Sequence, residues 1–176
     1  RETERIRMMT AIKYGILNYD NTVHAVEMIL QLFNKYLSES KQDKIYRGVM
    51  ASISGRLATN YIASKIAMAI IEKTSFTYTV FKGKSNPVSY LSTILLFGGM
   101  AERSIRTSDN LNSEAPEIYN LLRPRDYDLI YFLFIDAVQP FVDAIHVRYT
   151  EGQPIFNNLM KKVEERLNSK TSAKTK

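Results

Sequence analysis

The sequence predicts a mainly α, single compact domain of six to seven helices. Three observations carry this expectation. Apolar residues recur at helical spacing in most segments of the chain, no repeat or linker divides its 176 residues, and one long apolar segment, residues 126–147, stands out as a central helix. The domain is expected to occupy residues 1–168, with residues 169–176 as a flexible basic tail that has nothing to bury.

Residues 2–17 read as a first helix. Ile6, Met9, Ile12 and Ile16 stand at helical spacing and Glu2 and Glu4 sit in the first turn, where a helix dipole favours acids. Asn18 to Asn21 form a turn. A second helix follows, with Val23, Val26, Leu30, Phe33 and Leu37 on one face and Glu27, Gln31, Asn34, Lys35 and Ser38 on the other. Residues 44–73 are helical in pattern, but such a run would reach roughly 45 Å, so a bend is expected. Its small residues Gly48, Ser52, Gly55 and Thr59 offer a close-packing face to Tyr131, Phe134 and Phe141.

Residues 75–81 (SFTYTVF) alternate and are rich in aromatic and β-branched residues. With residues 146–150 (HVRYT) they are the one allowance for a small two-stranded ribbon. Asn86 and Pro87 mark a helix start, Pro being favoured in the first helical position. Residues 107–113 read as a polar loop and residues 113–122 as a short helix. Pro140 interrupts the central segment and predicts a kink there, because it removes the N–H that would bond the Asp136 carbonyl. A last amphipathic helix begins at Pro154, with Phe156, Leu159, Met160, Val163 and Leu167 on its apolar face.

The totals narrow the chemistry. With no cysteine, disulfides, thiolate metal sites and cysteine nucleophiles are excluded. Hydrophobic content of 45% and charged content of 24% belong to a folded globular domain. A net charge of +6 favours anionic partners, whether a membrane surface, nucleic acid or an acidic protein. The chain opens at Arg1 with alternating charge and no secretory or transit pattern. It is read as a piece of a longer protein, and its location is left open.

The most informative feature is a polar stripe on the central segment. Asp128, Asp136, Gln139, Asp143 and His146 fall within an arc of roughly 80° on an otherwise apolar helix. Such a stripe must meet water, a basic surface or a site. Asp136 and Asp143 stand about 10.5 Å apart along a straight axis, loose for paired acid–base work. The expected occupant is therefore an arginine or lysine, from this chain or a partner, rather than a substrate. Arg56, Arg103 and Arg106 form a second candidate group, able to bind an anion if their helices meet.

Other motifs fall short. Gly83-Lys84-Ser85 lacks the second glycine of a phosphate loop, since Tyr78 stands in that place. Asp20, His24 and Glu27 share one helical face but find no second ligand cluster, so helix capping and solvation explain them better than a metal does. Neither metal nor cofactor is expected. The basic residues are not interleaved with aromatics, which makes nucleic acid a lesser partner.

Residues 61–71 and 88–101 are two apolar segments joined by a short polar stretch inside a basic helical domain. In layout this resembles the pore-forming domains of colicins, and the resemblance implies insertion into an anionic membrane. The leading expectation is a non-enzymatic, partner-binding or effector-type domain with a protein partner. The colicin-like toxin is the alternative, and a toxin nuclease or transferase using basic residues comes third.

Overall fold

The computed structural model describes residues 2–16, 18–38, 40–41 and 87–173. Their order is α1 (Glu2–Lys13), α2 (Tyr19–Lys35), α3 (Pro87–Glu114), α4 (Pro116–Leu122), three short 3-10 turns (Arg123–Arg125, Tyr127–Leu129, Tyr131–Leu133), α5 (Ile135–Glu151) and α6 (Gln153–Ala173). The fold is mainly α, as the sequence predicts, and no strand occurs among the described residues. Residues 146–150, one half of the expected ribbon, belong to α5. The other half, residues 75–81, lies outside the described residues. So do Arg56, the small-residue face Gly48–Thr59, the Gly83-Lys84-Ser85 triplet and residues 61–71 of the colicin-like pair.

The core is built where α2 and α5 meet around the 3-10 turns. Val26, Leu30, Phe33 and Leu37 are buried and Val23 partly so, so the apolar periodicity of α2 gives its inner face directly. Phe33 is met edge-on by Phe141 of α5 at 5.2 Å and by Phe156 of α6 at 6.0 Å between ring centroids, a favoured aromatic geometry. Asn18 caps α2, its side chain accepting from the Asn21 backbone at 2.8 Å. Phe156 and Met160 of α6 are buried, with Leu159 and Val163 packed beside them. The helix continues to Ala173 and takes in residues the sequence assigns to the tail.

Three local differences share one cause, which is partners far away in sequence. On α1, Met8 and Ala11 are buried while Ile6 and Met9 are 60% and 70% exposed, so the first half of the expected apolar face is turned outward, whereas Ile12 and Ile16 still pack on the core. Arg7 explains this rotation. Its Nη1 donates to Asp126 Oδ1 at 2.7 Å and Asp128 Oδ1 at 3.0 Å, and its Nη2 donates to Asp128 Oδ2 at 2.6 Å and Glu4 Oε2 at 2.7 Å. Burial opposes the Arg7 charge, but hydrogen bonds to Asp128, Asp126 and Glu4 outweigh it and hold the guanidinium above its ordinary pKa. The helix then ends by a glycine stop. Gly15 is left-handed at φ +75°, its N–H bonds the Ile12 carbonyl and the Ile16 N–H bonds the Ala11 carbonyl, the pairing that closes a helix C-terminus.

The second difference is in α3, which runs without a break through Gly99 and through residues 107–113, the expected loop. Those residues are polar, yet Ser104 and Ser108 face inward, each with a partner. Ser104 Oγ donates to the Leu129 carbonyl at 2.5 Å and Ser108 Oγ to Asp128 Oδ2 at 2.6 Å. A serine that finds an acceptor on another element no longer competes with its own backbone, so the helix persists.

The third is the central helix itself. Residues 126–133 are wound as 3-10 turns, entered through Asp126 at φ 59°, a conformation Asp tolerates better than most residues. The axis turns by 117° between Tyr127–Leu133 and α5, so the break falls at Phe134 rather than at Pro140, which lies inside α5. Tyr127, Leu129, Ile130, Tyr131, Phe132 and Phe134 are all buried. An α-helix presents one face to a core, whereas this run is enclosed on every side, and packing overrides its intrinsic preference.

Candidate binding cleft

The bend brings α5 alongside α3 and leaves a cleft between them. Thr107, Asn110 and Glu114 of α3 form one wall, at positions i, i+3 and i+7. Gln139, Asp143 and His146 of α5 form the other, at i, i+4 and i+7. These spacings place each set on one helical face. Leu111, Ala115, Ile135 and Val142 supply the apolar lining, and Tyr131 of the last 3-10 turn completes it. The volume is about 140 Å³, below the roughly 300–1,000 Å³ of small-molecule sites and near the ~150 Å³ that holds a benzene-sized group.

Its electrostatics are anionic. Among the described residues, neither Glu114 nor Asp143 is in an ion pair. Gln139 Nε2 donates to Asp143 Oδ1 at 2.7 Å, which orients the carboxylate. His146 Nδ1 lies 2.9 Å from Glu117 Oε1 of α4, while Glu117 Oε2 is buried with no hydrogen-bond partner among the described residues. A net positive chain thus concentrates acids at one cleft.

Tyr131 is the unusual member. It is 2% exposed. Burial raises its phenol pKa above the ordinary range, and the carboxylates of Asp143 and then Glu114 add to the effect. The hydroxyl therefore stays protonated beside both acids.

The structure brings together three of the seven site residues expected from sequence, Gln139, Asp143 and His146. Asp136 is exposed on α5 and is not part of the cleft lining. Arg103 lies over the Phe132 ring at 5.9 Å, and Arg106 pairs with Glu102 of its own helix at 3.6 Å, the arginine well exposed and the glutamate partly so, so these two have local partners. Asp128, from the same sequence stripe, is the fully buried partner of Arg7. His24 meets the Tyr127 hydroxyl at 2.9 Å and Glu27 accepts from Gln31. No group of acids and histidines able to hold a metal occurs among the described residues.

Sequence reasoning missed Glu114, Tyr131, Thr107 and Asn110. The i, i+3, i+7 spacing of the α3 wall was visible, but residues 107–113 read as loop. Nothing in the sequence places Tyr131 opposite them, since that depends on the 3-10 winding. Comparison of the chain with family models, curated proteins and solved structures finds no match.

Proposed function

We propose that this chain is a partner-binding, effector-type helical domain that acts by contact rather than catalysis, with the α3–α5 cleft as its receiving surface. One observation carries the reading. The cleft has the size of a single side chain, with an apolar lining and two polar walls whose carboxylates, Glu114 and Asp143, are in no ion pair among the described residues. A shallow site of this kind anchors one residue of a larger partner. The charge of the cleft favours a basic protein surface over the anionic partners that the net charge suggests.

The test is site-selective photocrosslinking in cells. A photoreactive residue at Gln139 is expected to give discrete protein adducts, whereas the same probe at Asp136, on the solvent side of α5, gives none. Equal labelling from both positions would sink the reading. Dye release from anionic vesicles would instead support the colicin-like alternative, and degradation of RNA or plasmid DNA the nuclease alternative. No described helix is long and apolar enough to cross a membrane. The bent pair Tyr127–Leu133 and Ile135–Glu151 passes by length and composition only, and supplies core residues.

A further inference from the structure

We infer that the outward face of α1 is a contact between two copies of this chain, which pair through antiparallel α1 helices about a two-fold axis. This goes beyond the partner-binding reading and uses no residue of the cleft.

Glu2, Ile6, Met9 and Lys13 stand at i, i+4, i+7 and i+11 on α1, so they fall in one stripe roughly 60° wide. All four are exposed, as are Thr3, Arg5 and Thr10 beside them and Tyr14 just beyond the helix. Single apolar residues on a surface need no explanation, but Ile6 and Met9 are neighbours three apart on one helix. The opposite side of α1 is held by the buried Met8 and Ala11 and by the hydrogen bonds of Arg7 to Asp126 and Asp128. The stripe is therefore presented ready-formed, and little ordering is lost when it binds.

Charge and spacing select the occupant. Steps of four, three and four residues are those of a coiled-coil seam. An acid closes the seam four residues before Ile6, and a base closes it four residues after Met9. Turned end for end, the stripe meets its own complement. In an antiparallel pair Glu2 of one copy faces Lys13 of the other at both ends, and Ile6 of each copy packs on Met9 of the other. That is the self-complementary pattern a two-fold contact requires. A parallel pair would set Glu2 against Glu2 and Lys13 against Lys13, and such like charges repel. Thr3 and Thr10 flank the seam without charge. Arg5 already has Glu102 of its own chain at 3.8 Å. The helix is about 18 Å long, so the contact is small, below the roughly 1,200 Å² of stable interfaces, and the pair is transient.

Sedimentation equilibrium of the full chain tests this. The native chain is expected to dimerise with Kd about 0.1 mM. Lys13→Glu alone and Glu2→Lys alone should each weaken self-association at least about tenfold, because each puts like charges at both ends of the seam. An equimolar mixture of these two variants restores both charge pairs and should associate to within about threefold of the native chain. Ile6→Ser combined with Met9→Ser should leave only monomer. Tyr149→Ser, which removes an exposed aromatic of α5, should change nothing. The substituted side chains are exposed, and an unchanged thermal midpoint confirms the fold of each variant.

A native chain that stays monomeric at 1 mM, about tenfold above the expected Kd, overturns the pairing. So does a mixture that fails to associate, a dimer that survives loss of Ile6 and Met9, or an equal effect of Tyr149→Ser. Binding of the monomer to phosphatidylglycerol vesicles, lost with Ile6→Ser and Met9→Ser while no dimer forms, would give the stripe to a lipid surface and likewise overturn it.

Discussion

The Arg7–Asp128 pair offers the sharpest test of how the fold is held. Arg7→Met removes the guanidinium that donates to both Asp128 oxygens and to Asp126 and Glu4. Asp128, at 0% exposure, then keeps, among the described residues, the Ser108 hydroxyl as its side-chain donor. Breaking a buried pair from one side costs about 3–5 kcal/mol because the surviving charge is left uncompensated. For a chain of this size that corresponds to a fall in Tm of about 6–20 °C. Asp128→Asn is the milder change. Arg7 still has Asp126 and Glu4, whose side chains are 41% and 25% exposed, so about 1–3 kcal/mol is lost. Urea unfolding of the two single variants and the double variant gives the coupling directly, expected above about 1.5 kcal/mol. If Arg7→Met proves no worse than Asp128→Asn, or the coupling falls below about 0.5 kcal/mol, the pair is not what orients α1.

Four further outcomes follow from the same geometry. Gly99→Ala should stabilise the chain by about 0.5–1 kcal/mol in chemical denaturation, because Gly99 lies within a helix and a Cβ there meets nothing within 4 Å. Asn18→Ala, which removes the cap of α2, should cost about 1 kcal/mol by the same assay. Phe156→Ala should cost about 3–5 kcal/mol, read as loss of the cooperative transition, since the ring is 0% exposed between Phe33 and Tyr36. The fourth concerns alkali. Tyr131 has a raised phenol pKa in the folded chain, so its neutral form contributes stability that is complete below about pH 10 and lost as pH rises above it. Melting followed from pH 9 to 11 should fall more steeply for the native chain than for Tyr131→Phe, and parallel curves would refute this.

How much of this was legible in the sequence varies with how local the cause is. The inner face of α2 could be read from Val23 to Leu37 because its packing needs only periodicity. The start at Pro87 is a local signal too, whereas the helix expected over residues 2–17 runs past its actual stop at Gly15. The turn of α1 was not legible, since Arg7 is oriented by carboxylates more than a hundred residues away. Residues 107–113 looked like loop because Ser108 carries its helix-breaking tendency in its own side chain, while the acceptor that cancels it, Asp128, is elsewhere. Gln139, Asp143 and His146 share one face because α5 is a helix there, while Asp136, expected beside them, is exposed and outside the cleft lining. Asp128 was wrongly joined to it, as its backbone is wound with a different period. The opposite wall stayed hidden because residues 107–113 read as a loop although they belong to α3.

That winding also bears on how the chain tolerates changes of length. A 3-10 turn advances about 120° and about 2.0 Å per residue, so residues three apart point the same way. Asp128 and Tyr131 are three apart, one held by Arg7 and the other facing the cleft. A single inserted or deleted residue between them would swing one of the two by a third of a circle, undoing either the anchor of α1 or the floor of the cleft. The turn between α1 and α2 joins the Gly15 stop, the buried Ile16 and the Asn18 cap, but it sets no such three-residue register. In a library of one-residue insertions, residues 127–133 should be depleted.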